Sequence, residues 1–399
     1  MHNEDAEGSG AGAIMAPLVV YLMSTRCASA SPWNHRDHLR TRVAPAAAAY
    51  GARLEHPIVA VVDECSGEEL PTCERCAPSP LAPLVSSECT NCDGIDVVIA
   101  NCPGGKYGRG PGCKTDAAVA HFARRFPATN PAWLAFSDDD MHYFVPWFKA
   151  LLRFVEGAGH SAAVPLALGG RDRKFKTERI QASFPGLGSR TNRAPCLLTG
   201  APRIVLPLVL SSAGAEKLAP LCLNRVTEKQ CGAFHTTHDT CLGVVLWRLG
   251  MPYLPVFEEC RLVTNVHRRI GDTIGDKWPL VAIDLVHRGK MAREWQTFSE
   301  NQKLFTYHEN AIRHRGSLKR LRACVNATAA SPLGDVRGIT RPIASDAAPM
   351  TLRDCGVCRD LPLRDLQRLQ REQAAEARDR VCARSKRPVI GPRLAALRH

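Results

Sequence analysis

Short apolar runs separated by helical patterns set the plan of the chain up to about residue 260. Leu18–Met23 (LVVYLM), Ile58–Val62, Ile95–Ala100 and Trp133–Phe136 are apolar with little polar alternation. Runs of that kind fit strands buried on both faces, as in a parallel sheet. Helical stretches fall between them, over residues 36–50 (interrupted at Pro45) and over Thr115–Phe126. A strand–helix–strand rhythm predicts an α/β fold. After the fourth run, Pro146 sits where a helix tolerates proline, in its first turn. Phe144, Trp147/Phe148, Leu151 and Val155 then recur at helical spacing, which predicts a helix over 146–156.

The later part follows less regularly. Ala162–Leu168 is a further apolar run, and residues 169–195 are basic and Gly/Pro-rich, a long loop of the kind that covers sites. Leu197–Leu210 is apolar with prolines, and Ser212–Leu221 reads as a helix. His235–Leu249 begins polar and continues as an apolar helix, and Tyr253–Phe257 reads as a short strand. Residues 65–94 break the rhythm: rich in Cys, Pro and Ser, they read as an inserted loop. The plan is then residues 1–14 as a disordered Gly/Ala/Glu-rich start, 15–310 as one domain, and 311–399 as a basic tail, partly helical (362–383) or disordered.

Composition narrows the partners. A hydrophobic content of 45% and a charged content of 23% over 399 residues suit a folded protein with a real core. The net charge of +13 is misleading as a whole-chain number. Residues 311–399 hold 19 basic and 8 acidic side chains, which leaves 33 against 31 in the first 310. The basic character belongs to the tail, so the main domain is not expected to bind nucleic acid. Seventeen cysteines point to disulfides in a secretory lumen or to a zinc site. The apolar stretch Ala13–Met23 is too short to span a bilayer and follows acids instead of a basic segment. Membrane association is therefore expected only through an anchor absent from this chain.

The chemistry concentrates at Asp138, Asp139 and Asp140, which close the Trp133 strand. Carboxylates at the carboxyl end of a strand lie where open α/β sheets bind ligands. Oxygen ligands suit a hard divalent ion such as Mg2+ or Mn2+. The alternative is an acidic strand end that caps the next helix. Thr25 and Asp63 end neighbouring strands on the same edge, either as ligand-binding groups or as turn caps. Asp239 precedes an apolar helix, either as a proton acceptor or as its N-cap. Cys73-x2-Cys76 and Cys89-x2-Cys92 read either as zinc knuckles or as disulfides. Asn326–Ala327–Thr328 is a glycosylation sequon, usable only in the secretory pathway.

In order and spacing these landmarks resemble the Fringe-like β1,3-glycosyltransferases, of the glycosyltransferase family 31 type. The similarity spans roughly residues 17–265. Val19–Thr25 is similar to the family's first strand, and His35–Arg36 with Leu39 to its histidine–arginine segment. Asn101–Cys102, Cys113–Lys114, Trp133 and Asp138–Asp140 resemble its central run. Thr199–Gly200–Ala201 and Asp239–Thr240–Cys241–Leu242–Gly243 are similar to its acceptor-side turn and its catalytic segment. The resemblance implies a GT-A, Rossmann-like, mostly parallel sheet flanked by helices. It implies a disulfide from Cys102 to Cys113 and assigns the last aspartate, Asp140, to Mn2+ or Mg2+, with Asp138 or Asp139 as the helping ligand. It also implies ribose or water contacts from the earlier aspartates, Asp138 and Asp139, and Asp239 as the catalytic base; Thr25 and Asp63, from their strand-end positions, are the further candidates for nucleotide contact.

The chain departs from the family at three places. Ala201–Pro202–Arg203 replaces a glycine-rich turn, and His238 replaces an aspartate before the base. Glu258 stands where the family has a metal-binding histidine, and a glutamate is also able to ligate Mn2+. His267 is nearby but out of step.

The expectation is a metal-dependent inverting enzyme of the Golgi lumen, moving a sugar from a UDP-sugar to a glycan or glycoprotein acceptor in β1,3 linkage. One alternative is a catalytically weakened relative that binds nucleotide or glycan. Another is a zinc- and nucleic-acid-binding protein built on the CxxC pairs, with structural zinc at Cys73, Cys76, Cys89 and Cys92, and the basic tail.

Overall fold

The computed structural model describes residues 15–24, 38–63, 72–103, 109–171, 180–182, 194–196, 204–234, 238–265, 279–284, 308–310, 312 and 315–330. Its strands are β1 (Leu18–Met23), β2 (Ile58–Asp63), β3 (Cys73–Pro78), β4 (Val85–Cys92), β5 (Ile95–Ala100), β6 (Trp133–Asp138), β7 (Met141–Tyr143), β8 (Ala167–Arg171), β9 (Ile180–Ala182), β10 (Ala194–Cys196), β11 (Ile204–Ser211), β12 (Tyr253–Leu254), β13 (Val263–Asn265) and β14 (Ala282–Asp284). Its helices are α1 (Ala44–Tyr50), α2 (Arg109–Arg125), α3 (Val145–Gly157), α4 (Ser212–Leu223), α5 (Val226–Phe234), α6 (His238–Arg248), α7 (Val256–Glu259) and α8 (Arg315–Ala329). A wider helical turn over Leu39–Val43 leads into α1.

Nine strands form one sheet in the order β12-β8-β11-β6-β1-β2-β5-β4-β3. The central strands β6, β1, β2 and β5 are mutually parallel. Within the sheet only β4 and β11 oppose the others, so seven of the nine strands run one way. The β1 side chains show why the apolar runs are continuous. Leu18, Val20 and Leu22 enter the core under α3, and Val19, Tyr21 and Met23 enter the core under α2. Both faces of β1 are covered, so no position along it is free to be polar. Helix α3 inserts Trp147, Phe148, Leu151, Leu152 and Val155 into the first core. Burying each such side chain contributes about 1.5–3 kcal/mol. The Trp133 indole N–H donates to Glu156 on the same helix at 2.8 Å.

The second face is built on α2, buried from Gly110 to Ala123 between the sheet and α4 and α5. Helices α2 and α5 meet closely at Gly112, where a Cβ would lie 3.0 Å from the Thr227 carbonyl and from the Cys231 sulfur. One turn along, the buried Asp116 carboxylate accepts the Thr227 and Glu228 backbone N–H groups at 3.1 and 3.0 Å. It thereby satisfies first-turn donors of α5. Burial pushes its pKa up to about 7, against the pull of those hydrogen bonds. The folded value lies above the unfolded one of about 3.9, so this contribution to stability is complete below about pH 4 and is lost as pH rises through about 7. Comparing urea unfolding at pH 5 and pH 7, Asp116→Asn should remove a slope of up to about 1.4 kcal/mol per pH unit relative to wild type. An unchanged slope would contradict this.

Five disulfides join described residues: Cys73–Cys92, Cys76–Cys89, Cys102–Cys113, Cys231–Cys241 and Cys260–Cys324. They are compatible with a secreted or lumenal protein. Cys222 is buried and forms no disulfide with a described residue. No described helix is long and apolar enough to cross a membrane.

Three features differ from the sequence reading. The Cys-rich stretch read as a loop contains the hairpin β3/β4, which extends the sheet, with Cys73 opposite Cys92 and Cys76 opposite Cys89. Its strands, CERCAP and VSSECTNC, carry few large apolar side chains, so the two cross-strand bridges supply what apolar side chains do elsewhere. The strand expected over Tyr253–Phe257 stops at Leu254, since Pro255 lacks the ladder donor and α7 begins after it. The fold also continues past residue 310: α8 packs on α3 and α7, with Leu321 and Val325 buried. The helix expected over 362–383 and most of the loop 169–195 lie outside the described residues.

Candidate functional site

From β1 the chain moves outward to β2 and β5 on one side, and β6 then joins β1 on the other. Strand order therefore reverses between β1 and β6, and the crevice outside the carboxyl ends of such strands is where open sheets place ligands. Met23 is in register with Asp138, and Asp63 closes β2 next door. Asp139 and Asp140 form the tight turn from β6 into β7. The switch point thus collects the triple aspartate and Asp63.

The three aspartates are not equivalent. The β1–β6 register brings Ser24 beside Asp139, and the Ser24 hydroxyl donates to Asp139 Oδ2 at 2.7 Å. His38 Nδ1 stands 3.3 Å from the same oxygen, and the Arg42 guanidinium donates to Oδ1. Asp139 is buried, which alone would raise its pKa, yet Arg42 and then His38 and Ser24 hold it down at about 2. Both its oxygens are occupied by protein groups, and it ties the turn to the segment ahead of α1.

Asp138 faces the other way. Its side chain keeps 45% of its exposure, and Oδ1 lies 3.7 Å from His238 Nε2. Packed protein around the carboxyl raises its pKa. His238 and Lys114 oppose that rise, and the Asp139 and Asp239 carboxylates reinforce it. Asp139 is already paired with Arg42, so Asp239 is the acid near Asp138 that adds negative charge to the site. Asp140 is half-buried, and its charge acts on the Tyr143 hydroxyl, which donates to Ser137 at 2.7 Å.

His238 and Asp239 open α6, and Cys241, one turn on, is bridged to Cys231 of α5. That bridge fixes the start of α6 against a helix already pinned to α2. Lys114 closes the floor: its buried ammonium donates to the Ser24 carbonyl at 2.6 Å and lies 3.4 Å from Asp63. Cys113 beside it is bridged to Cys102, so the end of β5 and the start of α2 hold Lys114 in place.

The residues singled out in the sequence fall into three groups. Asp63, Asp138, Asp139, Asp140 and Asp239 gather at the switch point. Glu258 is half-buried on α7, an element packed against β8 and α8. Thr25, His35, Arg36, Thr199–Arg203 and His267 lie outside the described residues. Cys73, Cys76, Cys89 and Cys92 are consumed in two disulfides, so these sulfurs are not thiolate ligands in this pairing. The sulfurs of Cys73, Cys76 and Cys89 do lie within 4.8 Å of one another. Sequence reasoning missed Arg42 and Ser24. Arg42 is one basic residue among several ahead of α1, and nothing local distinguishes it.

Asp138 and Asp140 carry hard oxygens, and the buried His238 Nε2 has no hydrogen-bond partner among the described residues. No three such donor atoms at the switch point lie within 4.8 Å of one another among the described residues, so a cation there would draw only part of its ligand set from the side chains as they stand. No protein-family model matches the chain, and no curated protein matches it either.

Proposed function

We propose that the chain is a metal-dependent inverting glycosyltransferase with GT-A architecture, of the Fringe-like class. It moves a sugar from a UDP-sugar, GlcNAc or galactose by resemblance, to a glycan or glycoprotein acceptor in β1,3 linkage. The observation that carries the reading is the meeting of the Asp138–Asp140 turn with the His238–Asp239 start of α6 at the switch point of the sheet.

In this reading Asp138 and Asp140 hold Mn2+ or Mg2+, with Glu258 as a further ligand by resemblance. When bound, the ion supplies Lewis-acid neutralisation of the diphosphate oxygens. Thr25 and Asp63 contact the nucleotide. Asp139, locked by Arg42, positions its neighbours and does not itself meet the ion. Asp239 accepts the proton of the acceptor hydroxyl as its oxygen bonds to the anomeric carbon. The bond from that carbon to the diphosphate oxygen breaks, and its electron pair leaves with UDP. A single displacement inverts the carbon, so an α-linked donor gives a β-linkage. The Golgi lumen suits an enzyme of this kind, and the five disulfides support an oxidising compartment.

The test is a donor screen by UDP release, with and without Mn2+. Asp140→Asn should lower Mn2+-dependent release by about a hundredfold, in line with the several kcal/mol a Lewis acid supplies. Release that ignores both Mn2+ and Asp140→Asn would overturn the reading. Tight Mn2+-dependent UDP binding without release or transfer would leave the weakened relative in its place.

A further inference from the structure

His238 begins α6 and is 8% exposed. Its ring stands edge-on to Phe136, with centroids 6.5 Å apart and planes at 85°. Nε2 has no hydrogen-bond partner among the described residues. A buried polar atom without a hydrogen bond costs about 1–3 kcal/mol, so this nitrogen calls for an explanation, and a bound ion is one. What it faces is Asp138 Oδ1 at 3.7 Å, too far for a hydrogen bond. Metal–nitrogen and metal–oxygen bonds of about 2.1 Å each bridge two donors at such a separation.

The geometry points to a divalent transition-metal ion bound between His238 and Asp138, with His238 Nε2 as a direct ligand. This deepens the reading above and rests on it only for what the ion does to the diphosphate. A nitrogen donor changes selectivity. An all-oxygen site suits Mg2+ well, whereas imidazole favours later first-row ions. Affinity should then rise from Mn2+ to Co2+, with Mg2+ the weakest. Phe136 restrains the ring, and the Cys231–Cys241 bridge restrains the helix that carries it.

The experiment is calorimetric titration of the disulfide-intact protein with Co2+ and separately with Mg2+, for wild type and His238→Gln. The expected result is a loss of Co2+ affinity of about tenfold or more in the variant, with Mg2+ binding changed by less than about twofold. In wild-type protein carrying 15N-labelled histidine, diamagnetic Zn2+ should shift one buried imidazole nitrogen. That shift should vanish in Asp138→Asn, which keeps the readout if His238→Gln does not fold. Equal Co2+ affinity in wild type and His238→Gln overturns the assignment and leaves the transferase reading standing. Co2+ binding lost on His238→Gln in a protein that releases no UDP from any donor supports the site and removes the reading above. Absence of Co2+ binding in wild type, or an imidazole nitrogen unmoved by Zn2+, leaves only a His238–Asp138 ion pair and overturns the proposal.

Discussion

Arg42→Ala is expected to lower the unfolding free energy by about 3–5 kcal/mol, the range for removing one partner of a buried ion pair. Arg42 and Asp139 have side chains only 11% and 5% exposed, and the guanidinium is the strongest influence holding the carboxyl ionised. Without it, the Ser24 hydroxyl and His38 remain as partners, too little to compensate a buried charge. Urea unfolding of the disulfide-intact protein at pH 7 measures the loss, and a change below about 1 kcal/mol would refute the account. Asp139→Asn combined with Arg42→Ala should recover part of the loss, because no charge is then left stranded.

The same pair predicts a reversal with pH. The Asp139 pKa of about 2 lies below the unfolded value of about 3.9. In wild type this stabilisation is present above about pH 3.9 and is lost as pH falls through about 2. Arg42→Ala removes the largest influence lowering the Asp139 pKa, so burial, opposed only by His38 and Ser24, should push it up. Acidifying the variant from pH 7 to pH 5 should then regain stability relative to wild type.

The buried strands were legible because both faces of the parallel core are covered. Continuous apolar runs such as Leu18–Met23 have no other use in a chain of this composition. The β3/β4 hairpin was not legible. Its pairing rests on Cys73–Cys92 and Cys76–Cys89, and cysteine spacing gives no connectivity by itself. The Cys102–Cys113 bridge was expected from family resemblance alone, and it is present.

At the site, the sequence located the acids without ranking them. Asp138, Asp139 and Asp140 are identical in composition, and only the β1–β6 register, which places Ser24 and then Arg42 against Asp139, separates an anchor from its neighbours. Lys114 stood out only as part of a motif, whereas its buried contact with Ser24 and Asp63 explains why a lysine is held there. His238 registered as a departure from a pattern. Its unpaired nitrogen opposite Asp138 is a tertiary fact, produced by α6 meeting the end of β6 across about a hundred residues of chain.

The Cys260–Cys324 bridge closes the longest loop of the five, with a sequence separation of 64. In the chain-entropy account a loop of that length contributes about 4 kcal/mol, against about 3 kcal/mol for the ten-residue Cys231–Cys241 loop. Cys260→Ser/Cys324→Ser should therefore destabilise by about 4 kcal/mol, a fall in melting temperature on the order of 10 °C for a domain of this size. The loss should be uneven. Helix α8 is exposed along one side and holds to α3 and α7 mainly through Leu321 and Val325, so it should detach first. Amide exchange in α8 should rise well before exchange in β1 or β6. Cys260 lies two residues after Glu258, so a loosened α7 also carries that carboxylate with it. If the proposed ion is bound and Glu258 is one of its ligands, the double variant should bind Mn2+ more weakly while Asp138, His238 and the Cys231–Cys241 bridge stay in place. Unchanged Mn2+ affinity in a variant whose α8 exchanges freely would remove Glu258 from the proposed ligand set.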